Sequence, residues 1–244
     1  MLRPWVKFST VFIVMSWYLC QLLLVSTLVG KNIERGFRYR RKFCSTALSI
    51  LGIKYVQNGN TFPGACLYVS NHRSMLDPLI QLAHMDAYIV SKAEVGSYPI
   101  LGKGAKETGI ILVHRHDHNS RKAALDAIET TLLSGYPVLI YPEGTTHGGD
   151  LIGDFRKGAI EMAYQRGIPI VPVMIEYPDA SYYWTDGSLL AYFKRLFLSP
   201  TKHNVRGSIG NPMQKESPDS IVEDTRAHIN AMILEARSKP FRQE

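Results

Sequence analysis

From Phe8 to Gly30 the chain carries no charged residue for 23 consecutive positions, and most of the run reads TVFIVMSWYLCQLLLVSTLV. A helix rises about 1.5 Å per residue, so a segment of this length reaches across a hydrocarbon core of about 30 Å. The first reading is that the remainder of the chain folds beside a membrane segment, one that spans the bilayer or enters a single leaflet. Two other readings compete. A secretory signal peptide has a shorter apolar core and a small-residue cleavage site, which residues 26–30 match poorly. The core helix of a soluble protein rarely goes so long without a charge.

The flanks of the run give it a direction. Arg3 and Lys7 precede it, whereas Lys31, Arg35, Arg38, Arg40, Arg41 and Lys42 follow it with only Glu34 opposing. The positive-inside bias puts the C-terminal side in the cytoplasm. The same cluster suits anionic headgroups, at about 1 kcal/mol per basic residue. The whole chain has 28 Lys and Arg against 21 Asp and Glu, a net charge of +7. That balance predicts an anionic partner: a nucleic acid, an anionic membrane surface or a phosphorylated substrate. The basic cluster abuts an apolar run and carries no nucleic-acid module, which points away from nucleic acid. The three cysteines, Cys20, Cys44 and Cys66, are too few and too scattered for a disulfide scaffold or a structural zinc site.

Two units follow: residues 1–42 as membrane anchor and basic juxtamembrane segment, and residues 43–244 as an α/β domain. In the second unit, apolar runs of strand length at 66–70, 87–90, 110–114, 138–141 and 170–175 are bounded by turn residues. Helical stretches intervene at 120–134, closed by Gly135, and at 157–166, closed by Gly167. A last helix opens at Ser217-Pro218, with Ile221, Val222, Ile229, Met232, Ile233 and Ala236 on one face. This alternation predicts an α/β fold with a largely parallel or mixed central sheet and helices on both faces. Within the irregular stretch 177–203, Leu189, Leu190, Phe193, Leu196 and Phe197 form an apolar stripe beside Lys194 and Arg195. It reads either as a surface helix packed on the core or as a membrane contact.

Four segments carry chemistry. In VSNHRSMLDP (69–78), directly after a strand, His72 and Asp77 face the ligand crevice if the sheet is parallel. A neutral imidazole takes a proton from an alcohol near pH 7, and a carboxylate on its other nitrogen fixes the tautomer. Five residues apart, the two side chains do not share one face of a regular helix, but a turn leading into a helix can bring them together. The bland alternative is a loop histidine and a capping aspartate. In GIILVHR (109–115), Arg115 ends a strand, a position suited to phosphate or carboxylate. In YPEGTTHGGD (141–150), Glu143 projects at the sheet edge, while Gly144, Thr145 and Thr146 offer donors to an oxygen-rich ligand, unless the segment is an ordinary glycine-rich turn. In IPIVPVMI (168–175), two prolines shape the entry of a strand. No G-x-S-x-G nucleophile motif is present, so the base activates a substrate hydroxyl. His114, His116 and His118 alternate, yet they read as a polar turn rather than a metal site, and the chemistry needs no metal.

Taken in order, these blocks resemble the glycerolipid acyltransferase family: Asn71–Asp77 as N-H-x4-D, Gly109–Arg115 as the arginine block, Tyr141–Thr145 as [FY]-P-E-G-T and Val171–Val173 as V-P-[VI]. The resemblance implies His72 as base, Asp77 as its partner, and Arg115 and Glu143 at the acceptor. Lys92, in SKAE, matches a basic position assigned to phosphate, and FRKGA (155–159) matches the stretch after the third block. It further implies a membrane enzyme moving a fatty acyl group from an acyl thioester to a lysolipid hydroxyl, with acyl-CoA or acyl carrier protein as donor and no cofactor. One departure stands out. The family's third block ends E-G-T-R, whereas Thr146 stands in place of the arginine. Lys92, Arg115, Arg156 or Lys157 then compensates, or the acceptor is a lyso-aminolipid or another lysophospholipid instead of 1-acylglycerol-3-phosphate. A metal-assisted lipid hydrolase and a non-catalytic membrane-binding module are the rivals outside this class.

Overall fold

A computed structural model describes residues 4–93, 96, 99–113, 118–185, 192, 203–213 and 218–239. The uncharged run forms α1, Pro4–Val29. Gly30, at φ +81°, follows α1, and Asn32 caps the next helix, α2 (Ile33–Leu51), by accepting from the backbone N–H of Arg35 at 2.8 Å. Gly52 ends α2 in the left-handed conformation that favours glycine. α2 was not foreseen as one element, and the boundary expected at residue 42 falls inside it. Its buried stripe (Phe37, Arg40, Cys44, Ala47, Leu48 and Leu51) has helical spacing, but Arg40 interrupts the apolar signal.

β1 (Ile53–Asn58), β2 (Leu67–Ser70), α3 (Asp77–Gln81), β3 (Tyr88–Lys92), α4 (Pro99–Glu107), β4 (Ile110–Val113), α5 (His118–Leu133), β5 (Val138–Ile140), α6 (Gly158–Gln165), β6 (Ile170–Glu176), β7 (His203–Ile209) and α7 (Pro218–Ser238) follow. The strands form one sheet in the order β1-β7-β6-β2-β5-β3-β4. Every neighbouring pair is parallel except β6–β7. The sheet is therefore mixed, as the alternation of elements predicts. Period-two alternation sends side chains to two separate cores. Tyr68, Leu139, Val171, Val173 and Ile175 join α2 and α3 on one face. Leu67, Val69, Val138, Ile140, Ile170 and Met174 meet α5, α6 and α7 on the other.

The strands at 66–70, 87–90, 110–114, 138–141 and 170–175 all appear, displaced by at most two residues at an end. β1 and β7 went unforeseen because IKYVQN and HNVRGSI are mostly polar. They fit each other closely: a Cβ on Gly207 would lie 1.7 Å from the Tyr55 hydroxyl. The stripe at 189–197 lies outside the described residues except for Tyr192.

The basic cluster after α1 has less freedom than its sequence suggests. Arg40 is buried, donating to the carbonyls of Thr108 (2.5 Å) and Ala87 (2.8 Å), with its guanidinium 4.6 Å from the centre of the Phe37 ring. Burial lowers its pKa to about 10, which leaves it charged at neutral pH. Lys31 pairs with Glu107 at 2.8 Å, Arg41 with Asp86 at 3.0 Å, and Arg35 donates to the Gly30 carbonyl at 2.9 Å. α1 and α2 are thus fixed to the sheet and to α4 by basic residues expected at headgroups.

Replacing Arg40 with Ala leaves two carbonyls and a cavity, and denaturant melts of the solubilised protein should show a loss of about 3 kcal/mol. Arg38→Ala, on the exposed side of the same helix, should change stability by less than about 0.5 kcal/mol. Equal effects would contradict the assignment of Arg40 as the clamp.

Candidate active site

β2, β5 and β6 lie side by side, with Val69 opposite Ile140 and Ser70 opposite Val173. The two parallel neighbours β2 and β5 end together, so the segments starting at Asn71 and Tyr141 emerge at the same sheet edge. Asn71 is fully buried, and its side chain continues the ladder. Its amide donates to the Ile175 carbonyl and accepts from the Ile175 N–H, both at 2.8 Å. This locks the start of the loop to β6 and aims the next residue, His72, out of the sheet.

The chain then wraps around one carboxylate. Asp77 opens α3, followed by Pro78, and is 0% exposed. Its Oδ2 accepts from the backbone N–H groups of Arg73 (2.6 Å) and Ser74 (2.9 Å) and lies 2.8 Å from His72 Nδ1. Its Oδ1 accepts from the Tyr177 hydroxyl at 2.6 Å. A buried carboxylate is held by donors, so Nδ1 carries the proton towards Asp77 and Nε2 is the free acceptor. The turn-into-helix geometry expected from the sequence is the one present. The imidazole is 15% exposed and lies on the Tyr141 ring, 4.2 Å between centroids and 18° from parallel. The Tyr141 hydroxyl donates to Gln81 Oε1 (2.6 Å), and Gln81 donates to Ser70 Oγ (2.7 Å). Burial first, then the Asp77 charge, pushes the Tyr141 and Tyr177 hydroxyls well above the usual tyrosine range, so both remain protonated donors.

The third block closes over this pair, with side chains serving the protein where the sequence suggested ligand contacts. Glu143 does not stand free at the sheet edge: Oε1 accepts from the His72 N–H and Oε2 from the Gly153 N–H, each at 2.8 Å. Thr146 donates its hydroxyl to the Trp184 carbonyl. Gly144 adopts φ +73°, and a Cβ there would lie 2.7 Å from the Arg156 guanidinium. The Arg156 guanidinium therefore lies close against the Glu-Gly-Thr turn. It is exposed and has no ion-pair partner among the described residues. Thr145 is exposed. Arg73, 1% exposed, donates to the carbonyls of His147 (3.1 Å), Gly149 and Asp150 (3.1 Å), and so draws the rest of the block under Tyr183. Lys92 ends β3, but its side chain lies outside the described residues, as do Arg115, His114 and His116 and the side chain of His118. Among the described residues no group of His, Cys, Asp and Glu is placed to hold a metal.

Residues 52–176, more than half of the chain, match the family described as Acyltransferase. The chain belongs to that family. Among its curated relatives, a 1-acyl-sn-glycerol-3-phosphate acyltransferase of Helicobacter pylori is 33% identical over 141 residues, covering 57% of this chain and 60% of that protein. A lyso-ornithine lipid O-acyltransferase of Rhodobacter capsulatus is 30% identical over 138 residues, covering 55% of this chain and 50% of that protein. The matched part thus spans between half and two thirds of these relatives. The crystal structure of the 1-acyl-sn-glycerophosphate acyltransferase PlsC from Thermotoga maritima shares the fold, with a TM-score of 0.75 over 98% of this chain and 96% of that one at 17% identity.

Asn71, Arg73, Gln81 and Tyr177 surround the His72–Asp77 pair, and none of them has a role assigned from sequence alone. Only Asn71 and Arg73 stand near enough to the histidine to have been suspected. The Glu143 geometry yields a direct expectation. Glu143→Gln keeps one acceptor but turns an amide against a backbone N–H, which should cost about 1–3 kcal/mol of stability. Because Glu143 holds the His72 backbone, kcat should fall while the KM for the acceptor stays within about twofold. A rise in acceptor KM at constant kcat would instead make it a substrate contact.

Proposed function

We propose that this chain is a membrane-resident O-acyltransferase that moves a fatty acyl group from a thioester to the hydroxyl of a lysolipid. The observation that carries the reading is the His72–Asp77 pair: a buried carboxylate on Nδ1 and a free Nε2 at the sheet edge where the Glu-Gly-Thr turn closes. His72 Nε2 takes the proton of the acceptor hydroxyl as its oxygen attacks the thioester carbonyl. A tetrahedral intermediate forms and collapses, the C–S bond breaks, and the imidazolium returns its proton to the thiolate. Asp77 steadies the imidazolium throughout. No step needs a metal or a bound cofactor; acyl-CoA and acyl carrier protein are the donors to be compared.

The acceptor we favour is 1-acylglycerol-3-phosphate, giving phosphatidic acid. Thr146 removes the arginine that the resemblance leads one to expect, but Arg156 brings a guanidinium to the same turn through Gly144. A planar guanidinium suits a phosphate, which it grips with paired donors. The Helicobacter relative's name agrees with this reading, and the Rhodobacter relative's name supports the alternative, a lyso-aminolipid. α1 is long and apolar enough to cross a membrane, and its Trp5, Phe12, Ile13, Trp17 and Leu28 side chains are exposed to whatever surrounds it. We read it as the anchor that keeps the enzyme where both lipid substrates concentrate, with the catalytic domain on the cytoplasmic side by the charge bias.

A purified-enzyme assay crossing two donors with several lysolipids tests the reading. His72→Ala should lower turnover by about 10²–10⁴-fold with the fold intact. Near wild-type turnover in that variant would remove His72 as base. Arg156→Ala should reduce kcat/KM for 1-acylglycerol-3-phosphate by about 10–150-fold and change an uncharged-headgroup lysolipid little. If the wild type ignores 1-acylglycerol-3-phosphate and acylates a lyso-aminolipid, the acceptor assignment fails while the His72 chemistry stands. Deleting residues 1–30 should release much of the protein from membranes. Membrane association that stays undiminished and insensitive to salt would contradict the role given to α1.

A further inference from the structure

The Asp77 carboxylate is completed by a residue 100 positions away. Tyr177 is the first residue after β6, a strand that carries neither His72 nor Asp77, and it is 2% exposed. Its hydroxyl reaches Asp77 Oδ1 at 2.6 Å, while the three remaining donors, His72 Nδ1 among them, converge on Oδ2. The Tyr177 ring cannot follow if the carboxylate drifts. It stacks on Tyr182 at 5.7 Å and 12°, meets Tyr183 edge-on at 6.3 Å, and its own N–H lies 3.2 Å from Glu176 Oε1.

Resting on the acyltransferase reading above, we propose that Tyr177 is a positioning residue for the His72–Asp77 pair, holding the second carboxylate oxygen so that Oδ2 stays aligned with the imidazole as positive charge develops on it. The electrostatic setting makes this bond consequential. His72 is faced by Asp77, by the Tyr141 ring, and through its backbone by Glu143 and His147. Asp77 is faced by His72 and Tyr177, with Tyr141 and Tyr55 near enough to feel its charge. The neighbouring cation, Arg73, turns its guanidinium to the carbonyls of residues 147–150. Among the described residues, Asp77 is thus balanced by dipoles and by the imidazole alone. The burial of Tyr177 and the Asp77 charge both keep its hydroxyl protonated, so the donor persists across the working range of pH.

The test compares Tyr177→Phe with Tyr183→Phe in the 244-residue chain assayed in membranes, with His72→Ala in parallel. Each Phe variant loses one oxygen and keeps its ring in the same aromatic cluster, but the Tyr183 hydroxyl goes to Glu176, 2.5 Å away. Tyr177→Phe should lower kcat about 10-fold with both KM values within about twofold. With one donor fewer, the carboxylate holds the imidazolium more tightly, and the acidic limb of the kcat/KM profile should move to higher pH. Tyr183→Phe should lower the melting temperature without changing kcat or the limb. Wild-type kcat in Tyr177→Phe would overturn the proposal, as would a kcat loss with an unmoved or lowered limb, or equal kinetic losses in the two Phe variants. A His72→Ala enzyme that still turns over would instead sink the acyltransferase mechanism itself, which separates the two failures.

Discussion

A carboxylate with no exposure to water is costly unless every lone pair that lost a water gains a donor, and Asp77 meets that demand from two parts of the chain, residues 72–74 and Tyr177. The backbone N–H groups of Arg73 and Ser74 bend the segment after β2 into a tight turn. The imidazole of His72 folds back onto the same oxygen, and Tyr177 arrives from β6. The turn, the start of α3 and the orientation of the base are consequences of satisfying this one charge. Charge-assisted hydrogen bonds contribute about 1.5–3 kcal/mol each, so shedding even one is a large fraction of a domain's stability.

The loops around the pair are tied by the same logic. Glu143 ties the backbone N–H of His72 to that of Gly153, and Arg73 donates to three carbonyls of the third block, those of His147, Gly149 and Asp150. Polar residues that a motif would assign to substrate thus bond to the protein's own backbone, while the exposed Arg156 lies against the Glu-Gly-Thr turn. At the opposite end of the sheet, Arg40 and the Lys31–Glu107 pair fix α1 and α2 to the domain. Arg40 makes its contacts from a buried position, whereas Lys31 reaches Glu107 from the surface, so α2 carries the firmer of the two ties.

Much of this was legible in the sequence wherever the signal is local. β2, β5 and β6 are short apolar runs between turn residues, and His72 and Asp77 sit five apart after the first of them. α2 was hidden because Arg40 occupies a buried position in its apolar stripe. β1 and β7 were hidden because their polar sequences make sense only together, with Tyr55 filling the space above Gly207. The partners of the site are hidden for a different reason: Tyr177 meets Asp77, and Asn71 meets Ile175, across about a hundred residues. No spacing rule reaches that far. Glu143 and Thr146 show the converse limit, since a motif marks a residue as important without saying whether it touches ligand or backbone.

The central claim is that Asp77 fixes His72 with its proton on Nδ1, leaving Nε2 as the base. Nitrogen NMR of the enzyme labelled at histidine, with the His72 signals assigned through the His72→Ala variant, reads this directly. In the neutral imidazole, Nδ1 should carry the proton and Nε2 should be bare, and Asp77→Asn should shift that balance towards the other tautomer. A wild-type His72 protonated on Nε2 would contradict the account, because the nitrogen facing the substrate would then have no lone pair with which to take its proton.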